Sequence, residues 1–485
     1  MAAKRRIWKL SAMLSALACF ATIFLGGAVR FVSLGGAVQA ADTALMIWDG
    51  TVAEAFAGGT GTKTDPYLIS NGKELAYLAQ LVNEAEGYND TLYNNPSIHY
   101  VLTNNIYLND TSNWTEWGGF ANGEDAASAG IKSWTPIGVY TIWGDYTKAF
   151  WACFDGGNYT VHGVYIGSTC DLLCTGLFGS VQGGTVQNTG VAQSYIDVAV
   201  PNGNTGVIAG LVEGGRVTNC HNAGEIKNQG DASSVGGVAG RVSGTELAGC
   251  YNTGNVAGNG IAGGVAGSFE GWDRIINCYN TGDINGVSFV GGITGGVGSG
   301  NVMNCYNTGG VRGDSYVGGI TGSIGGGTIA NCYNMGIVYG ESGDSVGNVA
   351  GGVHNASSVT NCYYHSAGIA VGGIGEVLFD DNTVANIYAF GPNGQFIIFS
   401  SIKTLLDTLN AWVSDNQTDP AAYFEWQQPD LVGFPVFIWA DLETGGGTQD
   451  GDNDDDTKSC GNGGNIATAG FFIAALALAF KRKRT

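Results

Sequence analysis

Six segments of this chain can be laid over one another on a cysteine, and that periodicity limits the fold more than any other feature. They read VTNCHN, LAGCYN, IINCYN, VMNCYN, IANCYN and VTNCYY. The cysteines are Cys220, Cys250, Cys278, Cys305, Cys332 and Cys362, spaced by 30, 28, 27, 27 and 30 residues. A glycine-rich block precedes each (GVIAG, GGVAG, GGVAG, GGITG, GGITG, GNVAG), and Gly224, Gly254, Gly282, Gly309 or Gly336 follows with an apolar residue two places on. A looser copy without the cysteine spans 175–188. A fixed period in this range means stacked supersecondary units. No stretch within a unit is long enough for a helix. Each holds three short β-branched runs separated by Gly and Asn, which predicts one coil of a three-sided parallel β-helix, an all-β solenoid.

The residues around the cysteine sharpen this. The apolar residue three before it and the cysteine itself both read as core positions, yet residues three apart in a flat strand face opposite sides. Both point inward only if the chain bends between them. The residue just before the cysteine is Asn219, Gly249, Asn277, Asn304, Asn331 or Asn361. Asn and Gly are the types that adopt a left-handed bend most readily. Stacked Asn side chains can also hydrogen-bond along the column.

Composition agrees. The 485 residues include 82 glycines and 8 prolines, with 44% hydrophobic and 13% charged residues. That suits short strands and tight turns around a continuous core, and excludes collagen-like or proline-rich chains. The net charge is −21, and residues 1–40 hold five Lys/Arg and no acid. Such a surface repels nucleic acid and anionic lipid.

The ends carry addresses. Lys4, Arg5, Arg6 and Lys9 precede an apolar stretch through Leu25, and Ala37-Val-Gln-Ala40 closes it as an A-x-A-like cleavage site. Residues 1–40 are expected to be an export signal; a retained anchor is the alternative, with Gly26-Gly27 and Arg30 interrupting the span. An acidic Gly/Asp-rich linker (443–459) leads to a tail (460–485) in which Cys460-Gly-Asn-Gly-Gly464, an apolar run from Ile466 to Phe480 and Lys481-Arg-Lys-Arg484 follow one another. The tail resembles bacterial C-terminal sorting signals, without an LPxTG; a short tail anchor is the alternative. Either places the body outside the cytoplasm, at the cell surface or outer envelope, touching membrane only through the tail and dealing with export and sorting machinery.

Between the ends, 41–96 is expected to be an N-terminal capping segment, 97–400 the β-helix and 401–442 a C-terminal cap. Open solenoid ends need covering. In 70–86, Asn71 caps with Glu74 as its capping-box partner, and Leu75, Leu78, Leu81 and Val82 form a stripe. In 400–413, Ser400 or Ser401 caps and Leu405, Leu406, Leu409 and Trp412 form the stripe. About ten coils, each about 4.8 Å, occupy the interval.

Gly176-Leu-Phe-Gly179, Gly264-Val-Ala-Gly267, Gly292-Ile-Thr-Gly295 and Gly319-Ile-Thr-Gly322, with the flanks Gly59-Thr-Gly-Thr-Lys-Thr-Asp-Pro-Tyr-Leu-Ile69, Glu74-Leu-Ala-Tyr-Leu-Ala79, Trp134-Thr-Pro-Ile-Gly138, Phe154-Asp-Gly-Gly-Asn158 and Gly433-Phe-Pro-Val-Phe-Ile-Trp439, resemble GLUG-motif repeats of bacterial surface proteins over roughly 57–440. The resemblance implies a right-handed β-helix in an adhesin-like surface protein, to which the residues above add short capping helices at both ends, and implies no catalytic residues. Some metallopeptidases that cleave immunoglobulin A carry such repeats beside a zinc domain. This chain has five histidines and no HExxH, so that activity does not transfer.

Candidate chemistry is sparse. Stacked cysteines would lie within bridging range, but parallel side chains strain the dihedral, so reduced core-filling thiols are expected; a metal column is disfavoured because zinc ligands converge on a point. Whether Cys170 and Cys174 pair stays open. If each cysteine points inward, its neighbour points outward, so His221, Tyr251, Tyr279, Tyr306, Tyr333 and Tyr363 form a strip. It is either a stacking platform for a glycan or peptide, or a self-stabilising ladder. Asp155, Glu225, Asp283, Asp314 and Asp344 are scattered in turns rather than paired across a groove. The expectation is a non-enzymatic adhesin or surface-display protein binding a glycan or host-surface protein, without cofactor or metal. The alternatives are a polysaccharide-degrading β-helix enzyme, lyase or hydrolase, and a purely structural spacer.

Overall fold

The computed structural model describes residues 45–85, 92–120, 123–142, 144–272, 274–343, 345–365, 372–378, 381–390, 395–398, 401–417, 422–427 and 435–437. The expected export signal, acidic linker and sorting tail lie outside these. Of the first compact unit, Met1–Met46, only residues 45 and 46 are described; the second, from Ile47 onward, holds every element below.

That unit is a parallel β-solenoid of about ten turns, as the repeat predicts. Its coils stack into three parallel sheets of 24, 7 and 8 strands. Within one coil the chain contributes Ile261–Gly263 to the seven-stranded sheet and Ala266–Glu270 to the eight-stranded sheet. It then gives Arg274–Ile276, Tyr279–Asn280 and Ile284–Asn285 to the large sheet. Register is strict: Tyr251, Tyr279, Tyr306 and Tyr333 pair in turn, as do Val256, Ile284, Val311 and Val338. Strands this short hold because the strands of each repeated coil pair with the coils on both sides, and the inward residues of successive coils merge into one apolar core running from Ile69 to Cys362.

The bend before each cysteine is present. Asn219, Asn277, Asn304, Asn331 and Asn361 have φ between 52 and 55°, and Gly249 has φ 63°. The three-residue spacing of core positions demanded this turn, and all six residues are types that make it at low cost.

At the N-terminal end, helix α1 (Gly72–Asn83) starts at the expected cap, with Asn71 Oδ1 accepting from Lys73 N and Glu74 N, but Glu74 Oε2 reaches one residue further back than a capping box does and accepts from Ser70 N at 2.6 Å. Leu75, Leu78 and Val82 are fully buried, while Leu81 lies at the margin. The solenoid starts inside the segment expected to be a cap alone, because Tyr67–Ile69 already pairs in parallel with His99–Leu102. A short helix α2 (Gly123–Ser128) sits in an insertion that packs Trp117 against Tyr165 and Tyr195.

The C-terminal segment differs from expectation. Helix α3 (Leu405–Asn416) is capped by Thr404, whose side chain accepts from Asp407 N, rather than by Ser400 or Ser401. Its buried residues are Leu405, Leu409 and Val413, while Leu406 and Trp412 are half-buried. With the Trp426–Gln427/Val436–Phe437 hairpin it lies along the side of the solenoid rather than across its end.

Candidate functional site

Among the described residues, the repeated Asn-Cys-Tyr-Asn tetrad brings polar, nucleophilic and aromatic side chains into register coil after coil, which makes it the candidate site. Strand alternation sends its four members in different directions, and each forms a column of its own.

The thiols of Cys220, Cys250, Cys278, Cys305, Cys332 and Cys362 are free and fully buried in the apolar core. Each donates to the carbonyl two residues back, for example Cys305 Sγ to Met303 O at 3.2 Å, with a carbonyl of the preceding coil also near, here Ile275 O at 3.7 Å. Burial with no cation nearby raises Cys220, Cys278, Cys305 and Cys362 well above the usual thiol range. Fully buried and set against carbonyls, these thiols fill the core. Cys170 and Cys174 are also free, and burial pushes Cys174 up to about 12. Among the described residues no cluster of three or more His, Cys, Asp or Glu can hold a metal ion.

The asparagines at the bend form the outer amide ladder. Asn219 Nδ2 donates to Asn188 Oδ1 at 3.1 Å, Asn304 to Asn277 at 2.7 Å, Asn331 to Asn304 at 2.8 Å and Asn386 to Asn361 at 2.9 Å. Gly249 interrupts it, and an added Cβ there would stand 2.5 Å from Asn219 Oδ1.

A second amide ladder, not anticipated from the sequence, runs inside. Asn222, Asn252, Asn280, Asn307 and Asn334 are at most 1% exposed. Each Nδ2 donates to the next Oδ1 up the column, at 2.7, 2.7, 2.7 and 2.8 Å. Each amide also closes on the glycine two residues later, as Asn280 does with Gly282 O at 2.8 Å and Gly282 N at 3.2 Å. The signal was there: an Asn two places from a Gly in every coil, on the inward phase of the strand. The first glycine of the Gly-x-x-Gly block makes room for it. A Cβ on Gly237, Gly264, Gly292 or Gly319 would lie 2.3–2.5 Å from the amide carbon of Asn252, Asn280, Asn307 or Asn334. The two most visible repeated motifs are therefore halves of one packing unit.

The aromatic column corrects an expectation. His221, Tyr251, Tyr279, Tyr306 and Tyr333 do point away from the core and stack at centroid spacings of 4.7–5.2 Å with planes within 3°. Stacking of this kind turns each ring face toward its neighbour, so the faces a sugar ring would need are occupied. The strip is also covered. Tyr279, Tyr306, Tyr333 and Tyr363 are 1–9% exposed, packed under Leu405, Leu409, Val413, Trp426 and Phe437. Tyr251 is partly covered. The cover is keyed to the outer ladder: Asn277 Oδ1 accepts from Phe424 N and its Nδ2 donates to Ala422 O, while Asn304 Oδ1 accepts from Trp426 Nε1 at 2.8 Å. The Tyr333 hydroxyl donates to Pro435 O. Burial pushes the Tyr251 phenol up to about 12 and Tyr279, Tyr306, Tyr333 and Tyr363 further. At the head of the column, burial lowers His221 to about 4, with His162 adding a smaller repulsion.

Of the scattered acids, Asp155 ends a strand and Asp283 lies in a loop between strands, whereas Glu225 lies within a strand and pairs with Lys227 at 2.9 Å, and Asp344 lies outside the described residues. Asp155 accepts from Gly157 N at 2.8 Å, Gln187 Nε2 at 2.8 Å and Asn188 Nδ2 at 3.1 Å, which closes the FDGGN turn onto the next coil. Asp283 accepts from Gly310 N of the following coil at 2.8 Å.

No family model matches the chain, and no curated protein matches it. Among solved structures, one of a Bacteroides ovatus protein provisionally described as an immunoglobulin A1 protease is similar at 19% identity and TM-score 0.42, covering 79% of this chain and 96% of that one.

Proposed function

We propose that this chain is a non-enzymatic surface-display protein whose solenoid acts as a stiff spacer. The observation that carries this reading is the fate of the tetrad. Its thiols, both amides and its tyrosines are directed at one another or at the C-terminal cover, so the repeated chemistry is spent on holding the coils in register. The export signal and sorting tail read from residues 1–40 and 460–485, together with the GLUG-like blocks, support delivery to a cell surface or outer envelope. The net charge of −21 speaks against nucleic acid as a partner.

An adhesin is the second reading. It places a glycan or host-surface protein on the open faces rather than on the tyrosine column. It draws on Trp272, 89% exposed, and on Tyr339, 52% exposed with the Arg312 guanidinium 5.2 Å from its ring centre. A glycan array combined with reducing-sugar and unsaturated-product assays separates the readings. The spacer gives neither binding nor turnover; binding lost in Trp272→Ala or Tyr339→Ala favours the adhesin; turnover favours a polysaccharide-degrading enzyme. Mass spectrometry of the mature C-terminus tests the sorting tail.

A further inference from the structure

The C-terminal cover and the coils beneath it are held by different kinds of contact. Neighbouring coils are joined strand to strand in all three sheets, as Ala266 is with Thr294, Val290 with Val317 and Tyr279 with Tyr306. Among the described residues, no strand of the cover enters any of those sheets, and Trp426–Gln427 and Val436–Phe437 pair with each other. The bonds that key the cover to the solenoid each use a solenoid side chain. Asn277 holds Ala422 O and Phe424 N, and Asn304 holds Phe424 O and Trp426 Nε1. Asn331 holds Leu409 O, and the Tyr333 hydroxyl donates to Pro435 O. The apolar residues of the cover form a cluster separate from the main core.

The face under the cover is complete without it. Tyr279, Tyr306 and Tyr333 stack on one another at 4.9 and 5.2 Å, and the Asn277, Asn304 and Asn331 amides bond among themselves. Cys278, Ile284, Cys305 and Val311 behind them belong to the main core, on the other side of the sheet. Lifting the cover exposes rings and amides but parts no pair of solenoid strands.

The cover also stands between the coils and any pull from the C-terminal side. Phe437, its last described residue, rests on Tyr306 with ring centres 5.4 Å apart and on Trp426 at 4.4 Å. Tension applied beyond Phe437 meets these contacts first. Units that share the fewest contacts with the rest of a protein open at the lowest free energy.

We infer that the cover is a strap: tension on the C-terminal side strips residues 404–437 from the flank of the solenoid in a step of its own, while the coils stay stacked. Its use as a tether that gives under load rests on the surface-display reading; the stripping itself does not.

The test pulls the full-length chain between handles at its two ends in an optical trap. The expected first step comes below the force at which coils open and gains roughly 100 Å, since the strap holds 34 residues and each extends to about 3.4 Å. A coil of 27 to 30 residues would give a similar length, so an insertion assigns the step. A Gly/Ser stretch of about 20 residues placed after Asp430 should add about 70 Å to the first step and nothing to later ones. Trp426→Ala should lower the force of the first step or abolish the step, and leave later ones unchanged. Ile284→Ala, in the main core, should weaken a later step alone. A first step that the insertion does not lengthen, a single rupture of cover and coils together, or later steps weakened by Trp426→Ala would overturn the proposal.

Discussion

Replacing Asn280 by alanine isolates the interior amide ladder. The side chain is fully buried and takes part in four hydrogen bonds, to Gly282 O, Gly282 N, Asn252 Nδ2 and Asn307 Oδ1. Asn252 and Asn307 each keep a second partner, in Gly254 and Gly309. The buried backbone of Gly282 loses both its N–H and its C=O partner. An orphaned buried backbone group costs about 1–3 kcal/mol, and each lost amide–amide bond about 1 kcal/mol. The expected loss is therefore about 4–8 kcal/mol, against about 0.5 kcal/mol or less for the control Asn285→Ala at an exposed site. Coils can open in groups, so the readout is urea unfolding by circular dichroism together with native-state hydrogen exchange of the coils at 252–254, 280–282 and 307–309. A loss under about 1 kcal/mol, or exchange unchanged in those coils, would refute the claim that the ladder holds the register.

Other expectations are narrower. His221 is held neutral by burial, with its pKa lowered from 6.5 to about 4. The unfolded chain takes up that proton as pH falls below 6.5 while the folded one does not. Stability should therefore drop between pH 6.5 and 4 by at most about 3 kcal/mol, and His221→Tyr should remove that part of the dependence in thermal melts across the range. Gly249→Asn should change stability by less than about 1 kcal/mol, because φ 63° suits Asn and the Asn219 amide can turn to pair with it, whereas Gly249→Val should cost about 2 kcal/mol or more in the same melts. Trp426→Ala removes a 1%-exposed ring packed at 5.4 Å from Tyr333, and should cost the cover about 3–5 kcal/mol. Spectrophotometric titration would then show phenols ionising near pH 10 that stay protonated in the parent, and proteolysis within 404–437 would accelerate.

What could be read from the residues was what neighbours in a coil impose on each other. The left-handed bend at Asn219, Gly249, Asn277, Asn304, Asn331 and Asn361 followed from two core positions three apart, and Gly249 was informative because it replaced Asn with the other residue suited to the turn. The N-terminal helix followed from Asn71 and its apolar spacing. The interior asparagines were missed although alternation placed them inward, because a polar residue in a core phase invites reassignment rather than a search for its partner one coil away. The fate of the tyrosines was not local at all. Their outward direction was legible, but the atoms that bury Tyr306 and Tyr333 come from Trp426 and Phe437, about a hundred residues on, and nothing in either segment alone specifies that meeting.

The lateral cover also bears on how such a chain can change in length. Its attachments run from Tyr279 to Tyr363, with Phe424 anchored at Asn277, Trp426 at Asn304 and Leu409 at Asn331. A duplicated coil inserted beneath it would pull those anchor points out of step with a segment of fixed reach. One inserted upstream of Cys250 would find matching amide, thiol and glycine positions above and below and no such ruler alongside. Growth and shrinkage of the array should therefore be concentrated toward its N-terminal half, with the covered coils keeping a constant number.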